Sequence, residues 1–394
     1  MPVSDVTAVS DQSKRASIME HFAQLPDPRI NRTKLHLLSD ILVIALCAVV
    51  CGADDFVEVT LFGRAKEAWF RERLALPNGI PSHDTFNRVF GRLDPTALEC
   101  CFRSWIQAVQ QAVPRLAGEV INLDGKTLRH SFDTASEQVA IHMVSAWAHR
   151  AGMVIGQIKV DHKSNEITAI PILLERLDLA GCIVTMDAMG CQKEIARQIV
   201  DQEADYLLAL KGNQGSLHQD VRLFFEDAQA QCFKEIPHAS CEYVEKDHGR
   251  IETRRCWCVP AAEHRTWLDT KNEWRSLNSI IMIQAERIVN GVVSQETRYY
   301  ISSIAVSGVR SARKVAKAVR AHWGIENSLH WVLDVAFRED DCRVRMKNGP
   351  QNLAVMRHIA LNLLKAEGSA KVGVKARRHK AGWDNEYLAT VLAN

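Results

Sequence analysis

Apolar positions in the first hundred residues recur every three to four places, the period of an α-helix that buries one face. Segments near 17–25, 35–52, 56–74, 82–93 and 95–113 carry this pattern, and Pro-Asp-Pro, Gly-Ala-Asp-Asp, Pro-Asn-Gly-Ile-Pro and Asp-Pro separate them. The expectation is an all-helical N-terminal domain over 17–115, preceded by a disordered stretch at 1–16. One run, ILVIALCAVVCGA at 41–53, is apolar on every side. It falls short of the ~20 residues a bilayer requires and stops at Asp54-Asp55, which predicts a core helix with Cys47 and Cys51 as small hydrophobes on one face. Near 82–93, Ser82 is placed as an N-cap, Phe86, Val89, Phe90 and Leu93 form an apolar face, and Arg88 and Arg92 lie on another. A DNA-reading helix has this form, but ordinary surface helices with two arginines are commoner.

From residue 119 the period changes from 3.6 to two. VINLD, IHMVSAWAH and MVIGQIKVD predict three strands, the last two joined as a hairpin through Arg150-Ala151-Gly152. A helix near 165–179, opened at Pro171, leads to the strand CIVTMD, a helix over about 191–202 and the strand ADYLLALKGN. That order predicts a mixed α/β core over 119–215. Residues 216–305 interrupt it with a short helix and β-like alternation in SCEYVEKDHGRIETRRCWCV, SIIMIQAERIV and TRYYISSI. Helical patterning resumes over 306–366, where one helix is expected to start near Gly324 and to carry Glu326, Leu329, His330 and Leu333 on one side.

Bulk composition narrows the field. A 394-residue chain with 47% hydrophobic residues can bury a large core without staples. The 11 cysteines lack disulfide-type spacing and MPVSDVTAVSDQSKR lacks a secretory apolar region, so a reducing cytoplasm is expected. A net charge of +2 argues against a protein that coats nucleic acid indiscriminately. The charge is unevenly placed, because ten Lys or Arg against the single acid Glu367 fall between Cys342 and Lys380. Residues 367–394 are therefore expected to form a basic tail, a solvated face unless the rest of the chain supplies nucleic-acid chemistry.

The candidate chemistry lies where apolar strands end in acids. Val120, Ile121 and Leu123 lead into Asp124, and Cys182, Ile183 and Val184 into Asp187. Ligands of α/β sheets gather beyond the carboxyl ends of strands. If these two strands are neighbours, ~4.8 Å apart, their carboxylates repel unless a cation lies between them, and a hard divalent ion such as Mg²⁺ suits oxygen ligands. Either Asp alone reads better as a cap of the next turn or helix. Glu326, in RAHWGIENSLHWVLDVAFREDD, supplies a third acid at an expected helix start.

Taken together, NLDGKTLRHS, TMDAMGCQKEIA, DYLLALKGNQG, DHGRIETRR and HWGIENSLHWVLDVAFREDDCR resemble, in order and spacing, bacterial insertion-sequence transposases of the DDE type. The closest resemblance is to the H-repeat-associated family linked to Rhs elements, over roughly residues 30–366. It implies an RNase H-like mixed sheet with flanking helices, a β-rich insertion before the last acidic helix, and a metal-binding catalytic triad of Asp124, Asp187 and Glu326. It further implies Mg²⁺, with Mn²⁺ able to substitute, double-stranded DNA as partner (the inverted-repeat ends and a target), a homodimer on DNA, and action at the bacterial nucleoid. Lys126, Lys211, His248, Arg250, Arg254, Arg377, Arg378 and Lys380 are the expected phosphate contacts, since Lys and Arg pair with phosphate. Asn327 and His330 are placed to orient Glu326 or to satisfy local backbone. Many relatives carry a Tyr and an Arg before the final Glu and a Lys after it; here Val319, His322 and Leu333 stand there, so only the Glu is carried over.

Rival classes fail on single positions. A P-loop requires Gly where Val120 stands, and an aspartyl phosphatase requires a second Asp where Lys126 stands. Cys256 and Cys258 lack the paired C-x-x-C of a zinc site. The remaining alternative is a catalytically inactive, DNA-binding remnant of a mobile element.

Overall fold

The computed structural model describes residues 17–111, 117–132, 139–161, 164–247, 249–269 and 271–393. The stretch expected to be disordered, 1–16, lies outside them.

The helical N-terminal part consists of α1 (Ile18–Phe22), α2 (Leu38–Val50), α3 (Phe56–Ala65), α4 (Glu67–Arg71), α5 (His83–Arg92) and α6 (Pro95–Gln111). The break near residue 66 divides the segment expected as one helix over 56–74. Ser82 caps α5 as its sequence predicts, accepting from the Thr85 N–H at 3.3 Å. Nearly every side chain of α2 is buried because protein surrounds it. Its principal partner is α13 (Gly349–Ala366), itself buried along most of its length. Asn352 of α13 donates to the carbonyls of Phe90 and Leu93 at the end of α5, and Asn362 exchanges hydrogen bonds with both backbone groups of Val154. The helices are thus joined to the rest by one continuous core that runs from Ile18 to Leu392. They do not form a separately cored domain.

Among the described residues, nine strands make one sheet in the order β3-β2-β1-β4-β5-β9-β8-β7-β6. They are β1 (Val120–Thr127), β2 (His142–Ala148), β3 (Met153–Lys159), β4 (Ile183–Met186), β5 (Asp205–Leu210), β6 (Ala239–Asp247), β7 (Arg250–Pro260), β8 (Ser279–Val289) and β9 (Val292–Ser302). The neighbours β1, β4 and β5 are parallel, and every other pairing is antiparallel. Helices α7 (Glu166–Leu174) and α8 (Lys193–Asp201) make the two crossovers between parallel strands, as parallel pairing requires. The α7 helix runs through Pro171 rather than opening there. The β-rich stretch expected as an insertion follows α9 (Gly215–Ala230), includes the single-turn α10 (Arg265–Leu268), and extends the same sheet, because β9 pairs along β5.

One face of the sheet packs into the large core with α7, α8 and α13. The other holds α11 (Val309–His322), whose Ala312, Val315, Ala316 and Val319 pack on Ile183, Leu207, Cys256, Ile281 and Tyr300. Helical backbone continues past α11 through a π-turn at Glu326–His330 into α12 (Trp331–Phe337). Residues 367–394 are not a loose tail: α14 (Val374–Trp383) and α15 (Asn385–Leu392) dock Ala381, Leu388 and Val391 into the core.

Candidate active site

The register of β1 against β4 pairs Leu123 with Met186, so Asp124 and Asp187 occupy equivalent positions one residue further along neighbouring parallel strands. Side chains alternate across a strand. Val120 and Ile183 pack on the α11 side, hence Asn122, Asp124 and Lys126, together with Thr185 and Asp187, belong to that same face. Lys211, one residue past β5 and two beyond Ala209, joins them. A chain of hydrogen bonds fixes the end of α11 over β1 and β4: Asn122 Nδ2 donates to Thr185 Oγ1 at 2.7 Å, and Thr185 Oγ1 meets His322 Nδ1 at 3.0 Å.

The final acid arrives differently from its expected helix start. Glu326 follows α11 without a break into extended chain and opens the π-turn, in which the Trp331 N–H donates to the Glu326 carbonyl five residues back. Such turns insert one residue into a helix and recur at functional sites. Leu329 and Leu333 are buried and anchor the segment, while Glu326 and Asn327 are exposed. Asn327 donates to the Trp323 carbonyl and so satisfies backbone. His330 approaches a different acid, its Nδ1 lying 3.5 Å from Asp124 Oδ2. Burial pulls the His330 pKa down to about 3, with Lys126 beside it adding to the effect, so the ring is neutral.

Burial pushes the Asp124 carboxyl up to about 7 against the Gly125 N–H bond that favours the charged form, and the carboxylates of Glu166, Asp187 and Glu326 raise it further. Asp187 is held by the turn after β4, its Oδ1 accepting from the N–H groups of Met189 (2.9 Å) and Gly190 (3.3 Å). Among the described residues no three His, Cys, Asp or Glu side chains converge as a finished metal cage. The donor type is nonetheless the one a hard divalent cation takes, since the carboxylates that act on Asp124, those of Asp187 and Glu326 among them, are all oxygen ligands.

Glu166 and His142 escaped the sequence reading. His142 Nε2 lies 2.6 Å from Glu166 Oε1, and its Nδ1 lies 2.8 Å from Thr127 Oγ1. The pair packs against the backbone of Gly125, where any Cβ would collide with the Glu166 carboxylate and the His142 ring. Glycine inside a strand signals such a close approach, and Gly125 was the available clue.

The expected phosphate contacts divide. Lys211 is exposed at the strand ends, and Arg250 lines a groove that also includes Arg298, Arg320, Trp323 and Glu326. His248 lies outside the described residues. Lys126 is engaged by acids of the fold: its Nζ sits 2.7 Å from Asp334, 2.8 Å from Asp340 and 3.4 Å from Glu339, which itself neighbours buried Arg357 at 3.6 Å. Arg254 is likewise committed, to Glu245 at 2.6 Å and to Glu252. In the C-terminal stretch Arg378 is only 3% exposed and donates to the carbonyls of Val49, Ala53 and Ala336. Arg377 donates to the carbonyls of Leu364 and Glu367 at the end of α13 and to that of Val372 ahead of α14, and the Lys380 ammonium sits 4.1 Å from the Tyr387 ring centre. Each is engaged by the fold. Of the positions where relatives differ, Val319 and Leu333 are core residues.

A sheet that sets two aspartates side by side where the parallel pairing of β1 with β4 ends, on the face of a helical segment carrying a glutamate, has the layout expected of a DDE transposase. Residues 115–363 match the family described as "Transposase DDE domain" and residues 19–106 the one described as "DDE_Tnp_1-associated"; the chain belongs to this transposase family. The chain is 40% identical over 380 residues, 95% of it and 97% of the relative, to the "H repeat-associated putative transposase YhhI" of Escherichia coli (strain K12). It is 49% identical over 286 residues, 72% of it and 92% of the relative, to the "Uncharacterized protein in dhlA 3'region" of Xanthobacter autotrophicus. A shorter relative is the "Inactive transposase YbfQ" of Escherichia coli (strain K12), 39% identical over 72 residues, 18% of this chain and 86% of that one. No helix among the described residues is long and apolar enough to cross a membrane.

Proposed function

We propose that this transposase cleaves DNA at the ends of its element and transfers the freed strand into target DNA, using Asp124, Asp187 and Glu326 on an RNase H-like core. The observation that carries the reading is the juxtaposition of Asp124 and Asp187 on paired strands, on the face that holds the Glu326 segment. These three carboxylates would hold Mg²⁺, or Mn²⁺ in its place. When bound, divalent ions lower the pKa of an attacking hydroxyl and neutralise charge on the scissile phosphate. The chain's own residues set the geometry. The turn bonds fix Asp187, the core anchors Leu329 and Leu333 fix the segment of Glu326, and neutral His330 stands beside Asp124 without adding a competing cation. Lys211 and Arg250 are the predicted residues left to meet phosphates beside the acids. Element ends and target are double-stranded DNA in this reading, and a homodimer pairs two ends at the nucleoid.

The test is nicking of a duplex carrying the inverted repeats that flank this gene, with Mg²⁺ and with chelator. Asp124→Asn, Asp187→Asn and Glu326→Gln should each abolish cleavage while DNA binding persists. Near wild-type nicking by any one of them removes that residue from the site. Binding without nicking by the unaltered chain under every divalent ion would instead assign it as the inactive remnant.

A further inference from the structure

The α11 helix breaks the local rules of helix design. Its sequence, VRSARKVAKAVRAH, contains Arg310, Arg313, Lys314, Lys317 and Arg320 and no Asp or Glu. Cations in the first turns oppose the helix dipole, and like charges three or four residues apart on a helix repel. Five bases in register on a helix whose opposite face is alanine and valine therefore weaken the element that delivers Glu326. Local conflicts of this kind concentrate at functional surfaces.

The surroundings show which charges are spoken for. Arg320 lies 3.4 Å from Glu245 and Lys314 lies 3.9 Å from Asp205. The acids lining the same trough are also occupied: Glu119 by Arg150 and the N–H groups of Val120, Arg150 and Ala151, Glu242 by Arg255, and Glu245 by Arg254 as well. Arg310, Arg313 and Lys317 are exposed and have no ion-pair partner among the described residues. They span about 10 Å of helix at 1.5 Å per residue, and the trough that includes Arg313 and Lys317 continues past Gly324 to Asn327, next to Glu326. Duplex DNA offers a phosphate about every 1.7 Å of its axis, so such a stripe meets several.

We infer that the exposed stripe of Arg310, Arg313 and Lys317 on α11 is a sequence-independent contact for the phosphate backbone of duplex DNA running past the acidic site. The inference rests on the transposase reading of that site and names the surface that holds the DNA beside it. Phosphate contacts position a duplex without reading it, so the stripe sets affinity and salt dependence, not preference for element ends.

The test is salt-titrated binding of two equal-length duplexes, one element end and one random, to the full-length chain and to Arg310→Gln/Arg313→Gln/Lys317→Gln. Nicking by the unaltered chain in Mg²⁺ is measured in parallel. The slope of log affinity against log salt should fall by about 2 to 3 in the triple variant, ~0.9 per lost contact, with both duplexes weakened equally. Arg313→Gln and Lys317→Gln made singly should each lower it by about 0.9, and serve if the triple variant fails to fold. An unchanged slope while the unaltered chain binds and nicks overturns the inference alone. Selective loss of element-end binding also overturns it. Failure of the unaltered chain to bind either duplex overturns the functional reading itself.

Discussion

Replacing Arg378 by Met separates a structural arginine from a phosphate-binding one. The guanidinium donates to Val49 O at 3.0 and 2.8 Å, to Ala53 O at 3.2 Å and to Ala336 O, with Asp54 Oδ1 at 3.4 Å and the Phe337 ring 4.2 Å away. Val49 is in the last turn of α2, where helix carbonyls lack intrahelical donors, so one side chain satisfies a helix end and joins α2, α12 and α14. Hydrogen bonds from a charged donor contribute ~1.5–3 kcal/mol each, and breaking a buried ion pair costs ~3–5 kcal/mol. Two effects offset this. Burial already strains the charged form, pulling the pKa down to about 10 despite Asp54 beside it, and Met keeps the packing on Phe337. The net expectation is a loss of ~3 kcal/mol, read as the shift in urea midpoint multiplied by the unfolding slope. Arg378→Lys, with one point charge in place of a fork, should fall between. DNA binding by the folded variant should keep its salt slope. A stability loss under ~1 kcal/mol together with a slope lowered by ~0.9 would refute the reasoning and return Arg378 to the DNA surface.

Gly125→Ala should destabilise the chain by ~1–3 kcal/mol and impair cleavage, because the new methyl displaces the Glu166–His142 pair; a neutral effect on both measurements would show that the pair yields freely. Burial of Glu99 raises its pKa from 4.5 to about 8 despite the Gln157 contact. A raised carboxyl favours the protonated fold, so its contribution is complete below about 4.5 and lost as pH rises through about 8, up to ~5 kcal/mol at 1.36 kcal/mol per unit. Chemical unfolding across that window should show the decline in the wild type and a flatter profile in Glu99→Gln; parallel profiles would refute the assignment. Replacing Mg²⁺ by Ca²⁺ should preserve DNA binding and stop cleavage, since Ca²⁺ coordinates at longer range and with looser geometry; robust turnover in Ca²⁺ counts against metal-positioned oxygens.

Periodicity made much of this molecule legible before any coordinates. The all-apolar run of α2 announces a helix enclosed by protein, and the apolar segments announce β1, β4 and β5, with Asp187 directly after β4; β1, expected to end at Asp124, runs on to Thr127, because β2 pairs with it that far. These are local properties, since the side-chain period tells which face a residue takes whatever lies opposite. What lies opposite is decided by tertiary structure. The stretch 239–302 reads as strands, but nothing local says that β9 will pair along β5 and extend the sheet. Glu166 and His142 lie 24 residues apart and meet only because β2 and α7 converge on Gly125. The basic residues mislead most, for one reason. A positive charge is written in its own residue, but its neutralisation comes from distant ones: Lys126 finds Asp340 across 214 residues, and Arg378 finds Val49 across 329. Charge count along the chain therefore pointed to the C-terminal stretch, whereas the fold engages Arg377, Arg378 and Lys380 there and leaves Arg310, Arg313 and Lys317 of α11 exposed.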